Sequence, residues 1–143
     1  SEQLRNKLGL PGLAIRATAV VGVDPAMPGT GAAQATRAVC KRAGIDLDQI
    51  SVLEITEASA AHVLACAEEL GLDPLNKDDA RVCPQGGAIA LGHPWGASGA
   101  MLVVRLFSSM VRCTSSARTA EFGIATSAIG GGQGVAVLFE KVG

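Results

Sequence analysis

Residues 96–112 restrict the fold of this chain more than any other segment. Ala97, Ala100, Met101, Val103, Val104, Leu106, Phe107, Met110 and Val111 recur at helical spacing and take up most of the circumference rather than one stripe. A helix of this kind is buried on nearly all sides. One layer of sheet covers one of its faces. The other face calls for a second similar domain, another chain, or flanking helices wrapped around it. Composition points the same way: 17% of residues are charged and 48% apolar, against about a quarter charged in ordinary soluble domains, so some surface is expected to be covered by a partner.

The remaining segments alternate in period. Residues 13–23 read as a Val- and Ala-rich strand closed by the Pro- and Gly-containing turn 25–31. Thr30 is placed to cap a helix to about residue 43, with Ala32, Ala35 and Val39 on one face, Arg37, Lys41 and Arg42 at polar positions, and Gly44 as its stop. After a turn at 46–49 comes a short strand, 50–55. A helix over 57–70 follows, carrying Ala60, Val63, Leu64, Ala67 and Leu70 on one face and ending at Gly71. Asp78-Asp79 reads as a solvated turn, and 81–83 as a brief strand. Strands at 121–126 and 134–139 close the chain around a glycine run. The order β-α-β-α-(β)-α-β-β implies an α/β domain of three layers, a mixed β-sheet covered by helices. At 143 residues this is one domain, 1–143.

Several function classes drop out. A net charge of -1 with scattered Lys and Arg gives no basic stripe for nucleic acid. No apolar run is long enough to span a membrane, and residues 1–7 lack the features of a signal peptide. Cys40, Cys66, Cys83 and Cys113 form no C-x-x-C pair, and with His62 and His93 the only histidines no metal site is expected. Each cysteine sits in an apolar segment as a small hydrophobe, which favours a reducing, cytoplasmic compartment.

Chemistry centres on His93, in Gly86-Gly87-Ala88-Ile89-Ala90-Leu91-Gly92-His93-Pro94-Trp95-Gly96-Ala97-Ser98-Gly99. Pro94 steers His93 out of helical geometry, and the helix that follows turns its free N–H groups toward the loop, favouring neutral imidazole. In a dry pocket such a histidine can accept a thiol proton or donate to a developing oxyanion. The competing reading is a buried histidine bonded to main chain. His62, with Cys66 four residues on and Ser59 three before, reads as packing. The run Gly130-Gly131-Gly132-Gln133-Gly134 is no phosphate loop, because it precedes a strand and no Lys-Ser/Thr pair follows.

The loop at 86–99 together with the run at 130–134 resembles the paired C-terminal signatures of the thiolase superfamily. Gly22-Val23-Asp24-Pro25-Ala26, with Met27 and Gly29, is similar to the family's interdomain strand and loop. Thr56-Glu57-Ala58-Ser59-Ala60 resembles the motif that normally reads Asn-Glu-Ala-Phe-Ala. The resemblance covers essentially the whole chain, as a C-terminal half from which the N-terminal, nucleophile-bearing domain is absent. It implies that His93 is the active-site histidine, activating a cysteine in that other half and contributing to the oxyanion site. Glu57 reads as a general base or as a residue that orients Thr56 and His93, and its place in the motif favours the orienting role; the resemblance gives Gly92, Gly131 and Gly132 a place in the pocket backbone.

Departures accompany the likeness. Ala128 stands where the family has its second cysteine, an acid/base, and neighbouring Ser127 is a poor base. Thr56 replaces the asparagine that holds an oxyanion-hole water, and Ser59 the phenylalanine nearby. Cys83 lies near a position usually held by asparagine and reads as packing. The resemblance implies the C-terminal part of an acyl-CoA acyltransferase. It would perform acyl transfer or thiolysis of a 3-oxoacyl-CoA only with an N-terminal-type partner and be inactive alone. CoA or acyl-CoA would be its substrate, with no covalently bound cofactor. The partner would be a separate or missing N-terminal half, or a second copy in a homo-oligomer. The alternative is a non-catalytic acyl- or lipid-binding or scaffold domain, which Ala128 and Thr56 favour.

Overall fold

A computed structural model describes residues 1–75, 80–113 and 121–143. Asp78-Asp79 lies outside the described residues. Strands β1 (Gly12–Gly22), β2 (Ile50–Ile55), β3 (Phe122–Ile129) and β4 (Gln133–Val142) form one sheet in the order β1-β4-β3-β2. β4 runs antiparallel to both β1 and β3, while β2 runs parallel to β3, so the sheet is mixed. The segment expected as a strand at 81–83 contributes a single parallel bridge, Val82 to Leu53, beyond β2.

The α-helices are α1 (Glu2–Leu8), α2 (Gly31–Ala43), α3 (Ala60–Leu70), α4 (Ala88–Leu91) and α5 (Trp95–Phe107). Successive strand residues point to opposite faces of a sheet. Leu53, Ile55, Ile124 and Leu138 pack with Val39 of α2 and Val63 and Cys66 of α3. Their neighbours Val52, Ala125 and Phe139 pack with Leu102 and Leu106 of α5 and with Met110. The sheet therefore lies between α2 and α3 on one side and α5 on the other, as the three-layer reading requires.

Helix ends follow local chemistry. Gly44 and Gly71 are left-handed, at φ 67° and 73°, and close α2 and α3 by donating their N–H groups back to the last turns. Thr30 does not cap α2: it belongs to a 3-10 turn, Pro28–Thr30, and its hydroxyl donates to the Met27 carbonyl. α3 starts at Ala60 rather than residue 57 because Ser59 takes the N-cap, accepting from the His62 N–H at 3.2 Å. After Phe107 the helix loosens into a π-helical turn, Ser108–Arg112. α1, not anticipated from the pattern, buries no residue and rests on its caps, Ser1 and left-handed Gly9.

The described residues cover α5 on one face only. Ser98, Leu102 and Leu106 are buried, whereas Ala97 and Ala100 are exposed and Val104 is 64% exposed. Among the described residues no flanking helix wraps it. On the same side of the sheet, Val20 of β1 is 71% exposed between inward-facing Ala19 and Val21. No helix among the described residues is long and apolar enough to cross a membrane.

Candidate active site

The glycine loop hangs between β2 and the start of α5. Gly86, at φ 76°, turns the chain after Cys83, donating its N–H to the Cys83 carbonyl at 2.8 Å. A Cβ on Gly87 would stand 2.6 Å from Cδ of Glu57, so only glycine lets the two approach. Glu57 uses that approach: its Oε2 accepts the Ile89 N–H at 2.9 Å, at the head of α4. The Glu57 carboxylate thereby holds the loop that leads to His93.

Gly92, at φ 96°, ends α4 and releases the chain into His93. The His93 Nδ1 lies 2.6 Å from the hydroxyl of Ser98, in the first turn of α5. That contact fixes the ring plane and leaves Nε2 as the nitrogen available for chemistry. The Trp95 and Ala97 N–H groups are spent on the His93 and Pro94 carbonyls, so the helix end presents fewer free donors than its sequence suggests. His93 and Trp95 are exposed, with ring centroids 6.1 Å apart. The dry pocket expected around His93 is not closed by the described residues of this chain.

Beside the loop lies a small open cleft lined by Thr56, Gly87, Ala88, Leu91, Gly92, Ser98, Met101, Leu102 and Arg105. Thr56 is buried, its N–H donates to the Thr126 carbonyl at 3.0 Å, and its hydroxyl has no partner. A buried hydroxyl at the edge of a cleft is suited to hold a water or a ligand oxygen. Beneath it runs an ion pair: Arg105 Nε donates to Oε2 of fully buried Glu54 at 3.0 Å, and its Nη2 donates to the Gly86 carbonyl. Burial pushes the Glu54 carboxyl up, while the Arg105 charge pulls it back.

The fold gathers His93, Thr56, Glu57 and Gly92 at one end of the sheet. Ala128 lies at the same end of the sheet, two residues past Thr126, which pairs with Ile55 of the parallel strand β2, and Gly131 and Gly132 follow in the β3–β4 hairpin. Ala128 sits in β3 opposite Gly134, packed against the core on the α2 and α3 side. Gly131 and Gly132 turn the β3–β4 hairpin at φ 88° and 80°, and a Cβ on Gly132 would come 2.6 Å from the Val23 carbonyl oxygen. The glycine at 132 serves contact with the loop at 23–25, whereas a Cβ on Gly131 would meet nothing within 4 Å and only its positive φ calls for glycine. The Ser127 hydroxyl donates to the Ala128 carbonyl. Cys83 is buried, its thiol between the Ile55 N–H and carbonyl, and burial pushes its pKa up to about 12, which suits packing and not nucleophilic chemistry. His62 lies 3.6 Å from Cys66 on α3, away from the cleft-lining residues.

Pattern reading missed Ser98, Arg105 and Glu54. Each had a signal: Ser98 is a hydroxyl one helical turn from His93, and Arg105 and Glu54 are the lone charges in α5 and β2.

Residues 11–141 match the family described as thiolase, C-terminal domain. The chain belongs to that family. It is 48% identical to a 3-ketoacyl-CoA thiolase of Pectobacterium carotovorum and 46% to one of Aliivibrio fischeri, in each case across 99% of the chain and 35% of the relative. Among solved structures, the Bacillus anthracis acetyl-CoA acetyltransferase superposes with a TM-score of 0.85 at 38% identity, covering 99% of this chain and 34% of that one. Human mitochondrial 3-ketoacyl-CoA thiolase in complex with CoA gives 0.86 at 33%, covering 100% and 34%. This thiolase C-terminal domain thus spans about a third of the length of the relatives it matches.

Proposed function

We propose that this thiolase C-terminal domain is the histidine-bearing half of an acyl-CoA acyltransferase acting on 3-oxoacyl-CoA. It would work only with an N-terminal-type half that brings the nucleophilic cysteine. The observation that carries the reading is the His93–Ser98 contact beside the Thr56 cleft. With Nδ1 engaged, Nε2 can take the proton of an incoming thiol, and the thiolate then attacks the thioester or ketone carbon. The Thr56 hydroxyl is available to a water or an oxygen that gains charge in that step. The 3-ketoacyl-CoA thiolase relatives and the CoA-bound human structure support CoA or acyl-CoA as the substrate.

The uncovered side of α5 supports the need for a partner: the missing half, or a second copy in an oligomer. Buried thiols at Cys40, Cys66 and Cys83 support a reducing, cytoplasmic compartment. One observation favours the second reading, a non-catalytic acyl-binding or scaffold domain. Ala128 offers a methyl group where a proton donor is expected, so the enolate released on carbon–carbon cleavage finds no acid there.

The test joins the chain to an N-terminal-type half and follows cleavage of acetoacetyl-CoA in the presence of CoA. The assembly should turn over, and the chain alone should not. His93→Ala should lower the rate by at least about 100-fold, since it removes thiol activation and an oxyanion contact together. Equal rates for the unmodified and His93→Ala assemblies would overturn the reading. Acyl-CoA binding without turnover, restored to turnover by Ala128→Cys, would favour the second.

A further inference from the structure

Arg105 is the only charged residue between Trp95 and Phe107, and it faces inward. Its side chain is 15% exposed and that of its partner Glu54 is 0% exposed. Removing two charges from water is costly, and apolar residues of similar volume often serve stability as well or better. The Glu54 Oε1 has no partner, so the pair is not even fully satisfied. Stability is therefore a poor explanation for a buried pair at this place.

Its geometry offers another. The guanidinium is a planar fork with several donors. Here one arm holds Glu54 on β2 and another holds the Gly86 carbonyl at the head of the glycine loop. The turn at 86–87 is thus gripped from two sides, by Arg105 at the Gly86 carbonyl and by Glu57 against Gly87 and the Ile89 N–H. Everything from there to His93 is short: α4 is closed by bonds from Ala90 and Leu91 to the Gly87 carbonyl and from Gly92 to that of Ala88. His93 follows directly.

We propose that Arg105, anchored by Glu54, is a positioning residue that fixes the Gly86 turn and thereby sets where the His93 ring stands over the cleft. Its relevance to catalysis rests on the acyl-transfer reading above, but its structural effect does not. Loss of the fork should loosen α4 and the His93–Ser98 contact while leaving the sheet and α2 intact.

Two variants separate this from simple stability. Arg105→Lys keeps a cation for Glu54 but has a single point of donation and cannot also reach Gly86 in the same geometry. Glu54→Met combined with Arg105→Met removes both charges and strands neither, so it should fold even where Arg105→Met alone does not. In the 143-residue chain, both should retain amide protection in β3 and β4. Both should exchange the Ala90, Leu91 and Gly92 amides at least about 10-fold faster, as local opening rather than global unfolding would. The His93 Nδ1 resonance should move as its bond to Ser98 weakens. Unchanged α4 exchange and an unchanged His93 resonance in both variants would overturn the proposal, as would a uniform rise in exchange across the sheet. If α4 loosens as expected but no assembly shows acyl transfer, the positioning role stands and the acyl-transfer reading falls.

Discussion

The two faces of the sheet are built to different degrees of closure. On the α2 and α3 side, Ala32, Ala33, Ala35, Val39 and Cys66 are at or near complete burial, and backbone meets backbone. A Cβ on Gly134 would lie 1.9 Å from the Gly31 carbonyl oxygen, and one on Gly31 2.2 Å from that of Gln133. The Thr126 hydroxyl ties the same junction, within reach of the Ala32 and Val135 carbonyls at 3.1 and 2.9 Å. On the α5 side, contacts run through side chains, a buried ion pair and a cleft, and much apolar surface stays open. The closed face holds the domain together. The open face carries the candidate chemistry.

The largest effect tests the closed face. Gly134→Val should abolish the native fold of the chain, a loss of more than about 4 kcal/mol, because the atoms it meets are backbone and cannot rotate away. Circular dichroism and a urea titration would read it, and a cooperative transition with an unchanged midpoint would mean the α2–β4 junction is not as tight as its geometry. Leu106→Ala comes next. Leu106 is fully buried in the α5 cluster, so its truncation should cost about 2–5 kcal/mol. A loss well under that range would show the open face contributes less to folding than its buried residues suggest.

How much of this was legible without coordinates differs between the faces too. The closed face is made from local, periodic features. Residues 50–55 and the stop at Gly44 were readable because alternation and left-handed glycine are written in adjacent residues. Where two local signals competed, the boundary moved, as at Ser59, whose hydroxyl cap outweighed the helical pattern beginning at residue 57. The open face was half legible. His93, Glu57 and Thr56 stand in a recognisable loop and motif, whereas the Arg105–Glu54 contact joins residues 51 apart in sequence. Its existence depends on how α5 slides against β2, which no local pattern encodes. Ala128 shows the limit most clearly: the residue type is plain, but the face it takes in β3 is set by register with β4.

A pH experiment probes a titratable flaw on the closed side. His62 on α3 has a buried Nδ1 without a partner, and burial lowers its pKa below the ordinary 6.5, only partly offset by a bond to the Gly29 backbone. The unfolded chain therefore takes up a proton before the folded one does. Stability should be full above about pH 6.5 and fall as pH drops from there toward the depressed folded value. His62→Gln should flatten that part of the profile, read as urea midpoints at neutral and mildly acidic pH. An identical slope in the variant would assign the acid sensitivity to other groups.

The smallest change should sharpen the contrast most. Gly99 lies within α5 on its uncovered side, and a Cβ there would meet nothing within 4 Å. In the isolated chain Gly99→Ala should stabilise by about 0.5–1 kcal/mol, because alanine loses less backbone entropy on entering a helix. The same methyl group would stand between α5 and any domain packed closely against it. The chain should thus melt slightly higher alone yet bind an N-terminal-type half more weakly, measured by thermal unfolding and by titration of one half into the other. A more stable chain that binds the half with unchanged affinity would show that the partner docks away from this helix turn, and the open side of α5 would then need a different occupant.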